Sequence, residues 1–293
     1  MKTYGLIGYP VKHSLSPAMH NAAFKKLKIG ARYMLFEKSQ EEFALFIAQL
    51  KLTRVSGFNV TVPYKETVMP LLDEVDEQAR QIGAVNTVVN KDGRFIGYNT
   101  DAFGFITSLK SDLKCNPRGK NVFVIGAGGA ARAIGFALAR EKAREIRFYD
   151  ILSERAKKLS QDIIKTVDAV GGGGNTEITF VHNMPLNRRK IFSGIESADI
   201  LVNASTCGMK TGDPMPIDPA LLPEGIVVYD IIYNPSPTKF IEAVKARGVQ
   251  AVNGLGMLLY QGAAAFELWT GKAAPIEVMR GALEEGLREC RKK

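Results

Sequence analysis

Asn121-Val122-Phe123-Val124-Ile125-Gly126-Ala127-Gly128-Gly129-Ala130-Ala131 is the stretch on which the fold turns. Its first five residues carry no charge and are mostly β-branched or aromatic, which predicts a strand buried on both faces. G-x-G-x-x-A follows, and a helical run of small residues begins at about Gly129. Gly126 permits the tight turn, Gly128 lets backbone approach a pyrophosphate, and Ala131 allows the helix to pack closely on the strand. Backbone N–H groups of Gly126, Ala127, Gly128, Gly129 and Ala130, with the positive end of the helix, then face an anion. A glycine pattern alone is a weak signal; here the strand, the helix and a later acidic residue coincide. That residue is Asp150, which closes the next predicted strand, Glu145 to Tyr149. It stands near the spacing at which a carboxylate meets an adenosine ribose, and it equally suits the N-cap of the helix that follows. No G-x-x-x-x-G-K-[ST] occurs, so a Walker-type site is excluded.

The alternation of strand and helix extends in both directions from this motif. Upstream, Tyr4–Gly8, Arg32–Phe36 and Gly57–Val62 read as strands, and Pro17–Leu27 and Gln40–Leu50 as helices. Ser16 is expected to cap the first of those helices, with Pro17 at its first position. Asn86–Val89 and Phe95–Tyr98 form a strand pair around the turn signal Lys91-Asp92-Gly93. Downstream come a helix over Ser153–Thr166, then strands Glu177–Val181, Asp199–Asn203 and Ile226–Tyr229. Gly171–Gly174 marks a loop before the first of these. The C-terminal stretch is helical over Leu255–Leu268 and Pro275–Arg288, and a polar run, Lys114–Gly119, lies close to a domain boundary. The expectation is an α/β chain of two domains. Residues 1–104, completed by C-terminal helices 255–293, form an open α/β substrate-binding domain. Residues 105–254 form a Rossmann dinucleotide-binding domain, with a cleft between the two.

Composition excludes several classes. The 293 residues are 46% hydrophobic and 24% charged, near the globular average, which rules out disordered and fibrous chains. Three cysteines are too few and too scattered for a disulfide framework or a metal cage. The longest charge-free run, Gly248–Phe266, is interrupted by Gln250, Asn253 and Gln261 and is poorly suited to a bilayer. With no apolar signal core after Met1, the expectation is a cytoplasmic protein without membrane partners. The net charge of +9 favours anionic partners, but the basic residues are dispersed and no nucleic-acid motif accompanies them. Small acidic metabolites fit better than nucleic acid. His13, His20 and His182 are scattered and read as structural rather than metal-ligating, and Cys207 reads as a small buried filler.

Polar clusters at the ends of the predicted strands are more than folding requires. They are His13-Ser14-Leu15-Ser16-Pro17, Asn59-Val60-Thr61-Val62-Pro63-Tyr64-Lys65, Gly83-Ala84-Val85-Asn86-Thr87 and Asn99-Thr100-Asp101. Taken singly each suits a turn; together, beside a dinucleotide fold, they point to a polyhydroxylated small molecule.

In these motifs, with Gly126–Ala130 and Gly254-Leu255-Gly256-Met257-Leu258, the chain resembles the shikimate dehydrogenase family over essentially its whole length. The resemblance implies an NAD(P)-dependent oxidoreductase acting on a CH–OH group. It would interconvert shikimate and 3-dehydroshikimate on the route to chorismate and the aromatic amino acids. It also implies roles. Ser14 and Ser16 would bind the substrate carboxylate, and Thr61, Asn86 and Asp101 would contact ring hydroxyls. Tyr233 and Gln261 would close the pocket, with Lys65 and Asp101 as the acid–base pair. On the cofactor side it implies Gly126–Ala130, Asp150 and Arg155, Ile231 and Gly254 beside the nicotinamide, and more weakly Glu77. The acid–base assignment has a physical reading of its own. Ketone reduction needs a proton donor at the developing alkoxide, and an ammonium stabilises that oxyanion before the proton moves.

Cofactor and substrate choice stay open between neighbours. Where NADP-using relatives carry Asn-Arg-Ser/Thr, this chain has Asp150-Ile151-Leu152. The phosphate-clasping arginine is missing, which favours NAD and leaves NADP as the second choice. That departure, with the Gly171–Gly174 loop, resembles the branch that oxidises quinate as well as shikimate. A catalytically silent dinucleotide- or metabolite-binding protein is the alternative of a different class. The oligomeric expectation is a monomer or homodimer.

Overall fold

A computed structural model describes residues 1–53, 55–169, 176–181, 194–210 and 212–290. The chain divides into two compact units, Met1–Gly104 with Leu258–Lys293, and Phe105–Met257.

Among the described residues, the first unit is built on six strands, β1 (Lys2–Gly8), β2 (Ala31–Glu37), β3 (Val55–Val60), β4 (Glu74–Val75), β5 (Thr87–Lys91) and β6 (Arg94–Tyr98). They lie in the order β2-β1-β3-β5-β6-β4. β1 runs parallel to β2 and β3, and β5 is antiparallel to both β3 and β6. Helices α1 (Ser16–Lys26) and α2 (Gln40–Lys51) make the crossovers among β1, β2 and β3; α3 (Glu77–Ile82) precedes β5. α2 starts at a capping box between Ser39 and Glu42, and it buries Phe43, Ile47 and Leu50 in a core with Ile7, Phe58, Val60, Val88 and Phe95. A second, aromatic cluster holds Tyr4, which stacks on Phe24 of α1 and on Trp269, with ring centroids 5.4 and 4.9 Å apart.

Among the described residues, the second unit has six parallel strands. They are β7 (Asn121–Ile125), β8 (Glu145–Tyr149), β9 (Glu177–Phe180), β10 (Ile200–Asn203), β11 (Val227–Asp230) and β12 (Gln250–Asn253). Their order is β12-β11-β10-β7-β8-β9, the doubly wound arrangement with β7 as first strand. Helices α4 (Asp101–Ser111), α5 (Gly129–Arg140), α6 (Ser153–Ala169) and α7 (Lys239–Ala246) accompany them. Both sheet faces are covered, which is why the central strands β7 and β10 are almost entirely apolar and buried. Val122, Val124, Ile146 and Phe148 pack with Ile134, Leu138, Leu159 and Ile163. Phe123, Ile125, Leu201 and Val228 pack with Phe240, Ile241 and Val244.

The last helices are α8 (Leu255–Thr270) and α9 (Ile276–Cys290). From Leu258 onward they belong to the first unit. There the Trp269 indole of α8 donates a 3.0 Å hydrogen bond to the Val88 carbonyl. Among the described residues, no helix is long and apolar enough to cross a membrane.

Three local expectations change. Ser16 does not cap α1: it is the first helical residue, Leu15 holds the cap position, and the Ser14 hydroxyl accepts the Ser16 N–H at 3.2 Å. β3 ends at Val60, so Thr61 lies beyond the strand, and β5 begins after Asn86. Cys207 is half-buried rather than buried, its carbonyl accepting from Asn203. Gly171–Gly174 and His182 lie outside the described residues.

Candidate active site

In the first unit the strand order changes direction at β1, which has β2 on one side and β3 on the other. Ligands of open α/β sheets bind at such a switch point, beyond the carboxyl ends of the strands. β1 ends at Gly8, where a side chain would collide with Thr61 and Val11, so the loops leaving β1 and β3 approach only because residue 8 is glycine. The first of those loops carries Ser14 and Ser16, whose hydroxyls lie 3.2 Å apart. The second carries Thr61 and Lys65. Because β5 is antiparallel to β3 and β6 to β5, Asn86 before β5 and Asp101 after β6 reach the same end of the sheet.

There Lys65 Nζ lies 2.6 Å from Asp101 Oδ2. The two side chains are 14% and 6% exposed, so solvent screens the pair far less than it screens a surface ion pair. Asn86 donates to the other carboxylate oxygen, Asp101 Oδ1, at 2.9 Å, and reaches Gln261 Oε1 at 3.3 Å. The Asn99 side chain caps α4, accepting from the Asp101 and Ala102 N–H groups at 3.0 and 3.3 Å, and this fixes Asp101 at the first position of the helix. Val85 N–H holds the Lys65 carbonyl at 2.8 Å. An ammonium is thus fixed by a carboxylate that is itself fixed on both oxygens, an arrangement suited to delivering a proton to an oxyanion.

In the second unit the switch point lies between β7 and β10. Gly126, which ends β7, has φ +107°, and a Cβ there would sit 2.7 Å from the Ala204 carbonyl oxygen. Both facts require glycine. A Cβ on Gly128 would meet nothing within 4 Å, so the backbone entering α5 is open to a ligand, which fits a pyrophosphate. Asp150 joins this turn to the end of β8, accepting from Ala127 N–H through Oδ2 and from Leu152 N–H through Oδ1, both at 2.9 Å. Each oxygen keeps a lone pair for a ribose hydroxyl. Ile151 is 82% exposed beside it, and Arg155 is also exposed.

Ile231 and Tyr233 follow β11 and are half-buried. Their loop is tied to the one after β10. Ile231 N–H donates to the Asn203 carbonyl at 2.9 Å, and buried Asp230 accepts from Asn203, Ile232 N–H and Thr238. Burial raises the Asp230 pKa against the pull of those three donors. Gly254 packs so closely on the Ile231 backbone that no side chain fits. Glu77 lies in the first unit, exposed on α3 and paired with Arg80 at 3.6 Å.

The structure therefore gathers Ser14 with Ser16, and Lys65, Asn86 and Asp101 with Gln261, in the first unit. It gathers Gly126–Ala130 with Asp150, and Ile231 with Gly254, in the second. Tyr33, Asn59, Thr87 and Thr100 join the first group through a buried hydrogen-bond network that the sequence reading does not single out. Three of the four lie inside the quoted motifs, which is the available signal; Tyr33 has none. Among the described residues, no group of three or more His, Cys, Asp or Glu side chains is placed to hold a metal ion.

A doubly wound sheet with a glycine-rich turn at its switch point, in a chain whose other unit presents a buried lysine–carboxylate pair, is the architecture of the two-unit α/β dehydrogenases. Residues 6–88 match the family model of the shikimate dehydrogenase substrate binding domain, and residues 254–284 that of the shikimate 5'-dehydrogenase C-terminal domain. A shikimate dehydrogenase (NADP(+)) of Geobacillus kaustophilus is 42% identical over 98% of this chain and 99% of its own. Shikimate 5-dehydrogenase from Thermus thermophilus, solved with NADP(H) and shikimate, superposes with a TM-score of 0.85 at 32% identity, covering 98% of this chain and 100% of that one. Quinate dehydrogenase from Corynebacterium glutamicum, solved with NAD, gives 0.84 at 31% identity, covering 97% and 99%. The chain belongs to the shikimate dehydrogenase family.

Proposed function

We propose that this protein catalyses the reversible, nicotinamide-dinucleotide-dependent reduction of 3-dehydroshikimate to shikimate, a cytoplasmic step towards chorismate and the aromatic amino acids. The observation that carries the reading is Lys65 held 2.6 Å from Asp101 at the switch point of a sheet, in a chain of this family. When bound, the nicotinamide supplies the hydride in reduction and accepts it in oxidation. As the ketone is reduced, Lys65 Nζ gives the carbonyl oxygen its proton. In the oxidative direction Lys65 accepts the hydroxyl proton. Asp101 orients the lysine and, with Thr61 and Asn86, grips ring hydroxyls, Gln261 helps to close the pocket, and the Ser14 and Ser16 hydroxyls receive the carboxylate.

For the cofactor we favour NAD over NADP. Asp150 accepts hydrogen bonds from a ribose 2′-hydroxyl but repels a 2′-phosphate, at a cost of roughly 1 to 4 kcal/mol for charges about 4 Å apart. Exposed Ile151 offers no cation to offset that repulsion.

Initial rates with shikimate and quinate, each with NAD and NADP, test both statements. Shikimate oxidation with an NAD preference is the expected result, and quinate turnover would mark a dual enzyme. An NADP preference of about tenfold or more would remove Asp150 from cofactor choice. Absence of any cofactor-dependent absorbance change would leave only a binding protein.

A further inference from the structure

A line of buried polar side chains leads from β2 to the lysine–carboxylate pair. Tyr33 donates its phenolic proton to Asn59 Oδ1 at 2.7 Å. Asn59 Nδ2 donates to the Asn86 carbonyl at 3.1 Å and to Thr87 Oγ1 at 2.9 Å. Thr87 Oγ1 donates to Asn86 Oδ1 at 3.0 Å, and Thr100 N–H donates to the same oxygen at 2.8 Å. Asn86 Nδ2 then faces Asp101 Oδ1, and the second Asp101 oxygen faces Lys65.

Donor and acceptor roles at the two carboxamides are forced. A carboxamide has nearly the same shape either way round, so in a buried site its partners decide which end is oxygen. A backbone carbonyl only accepts, so the Asn59 atom facing the Asn86 carbonyl is nitrogen, and its oxygen must face Tyr33. The second Asn59 hydrogen goes to Thr87, whose own proton then serves Asn86 Oδ1 or Thr100 Oγ1, while the Thr100 N–H fixes Asn86 Oδ1 as an acceptor. With its oxygen so engaged, Asn86 presents N–H to the carboxylate rather than a second oxygen, which would repel it. The Tyr33 ring is itself held face-on by the buried His20 ring, with centroids 4.4 Å apart and planes 13° apart. Among the described residues, neither His20 nitrogen has a hydrogen-bond partner.

We infer that Tyr33 is a positioning residue for the Lys65–Asp101 pair, acting through Asn59, Thr87 and Asn86. The inference rests on the reading of that pair as the proton-transfer machinery. Without the Tyr33 hydroxyl, Asn59 Oδ1 is left buried without this donor, and the Asn59 side chain is held less firmly against the Asn86 carbonyl and Thr87. That loosening passes to Thr87 and to the Asn86 main chain, and so to the placement of Asn86 against Asp101.

The test is steady-state shikimate oxidation by the wild type, Tyr33→Phe, Asp101→Asn and the double variant. Tyr33→Phe is expected to lower kcat about tenfold, the effect of one buried hydrogen bond, and to cost nothing further in the Asp101→Asn background. Thr87→Val, which removes the next link, should reproduce both results, and Thr87→Ser, which keeps the hydroxyl, should restore kcat. These variants keep the question answerable should Tyr33→Phe fold poorly. Tyr4→Phe removes another phenol of the same core, one bonded to Ser56, and should lower Tm while leaving kcat unchanged. Unchanged kcat in folded Tyr33→Phe and Thr87→Val, or an equal loss with and without Asp101, would overturn the inference. A wild type that does not turn over shikimate would instead overturn the functional reading beneath it.

Discussion

Truncating Lys65 to alanine removes the proton donor and leaves Asp101 buried without its cation. The expected outcome is a fall in kcat of about 10²–10⁴-fold with a modest change in shikimate KM, read from steady-state rates. Near-normal turnover would take Lys65 out of the mechanism. At this scale the sequence is informative about which residues matter and silent about how they connect. Lys65 and Asp101 stand out because a cation and a carboxylate sit just past strand ends, where folding alone does not require them. Tyr33 does not stand out. It lies on β2, Asn59 lies on β3, and β1 separates the two strands in registers two residues apart, with Tyr33 opposite Tyr4 and Asn59 opposite Leu6. A hydrogen bond that spans an intervening strand leaves no trace in local pattern. Ser16 departs from its expected role for a related reason. A serine before a helical run suits the cap, but here the Ser14 hydroxyl accepts the Ser16 N–H and the helix starts one residue early.

Helix α1 shows how an element carries a consequence its sequence hides. Its buried face includes His20, fully enclosed against Tyr33 and Trp269, with burial lowering its pKa to about 3. The unfolded chain takes up a proton near the ordinary histidine value of about 6.5, whereas the folded chain does not. His20 therefore leaves stability undisturbed above about 6.5 and withdraws it progressively as pH falls from there towards about 3. The slope is at most about 1.4 kcal/mol per pH unit. Urea unfolding of wild type and His20→Phe at pH 7 and pH 5 should show the wild type losing more stability on acidification; equal losses would exclude His20 as the cause. Element boundaries are most legible where both faces of a strand are buried. Asn121–Ile125 is the observed β7, since a largely apolar run bounded by turns has few ways to be placed; Glu145–Tyr149 is the observed β8, marked instead by its alternation of buried and half-buried positions. β3 and β5 are less so, because Thr61 and Asn86 keep inter-strand backbone hydrogen bonds one residue beyond the strand ends, where the chain is already turning towards the site.

Across the whole molecule, each unit has its own apolar core, and the sole tryptophan, Trp269, lies in the first. Tryptophan emission therefore reports the first unit, while far-UV circular dichroism reports both. A dinucleotide at one hundred times its Kd stabilises the state that binds it by about 2.7 kcal/mol. Added NAD is expected to raise the denaturation midpoint seen by circular dichroism more than that seen by Trp269, and shikimate to do the reverse. Coincident midpoints under both ligands would mean that the chain unfolds as one cooperative body. The doubly wound arrangement is legible because one glycine-rich turn and its flanking strands specify it. The mixed order β2-β1-β3-β5-β6-β4 is not, since short strands with polar ends fit several pairings. The chain leaves the first unit at Gly104 and re-enters it at Leu258. During synthesis on a ribosome, the nucleotide-type unit is an uninterrupted run that can fold once it has emerged. The earlier-made portion must wait, its sheet still missing α8 and α9, until the final helices are released.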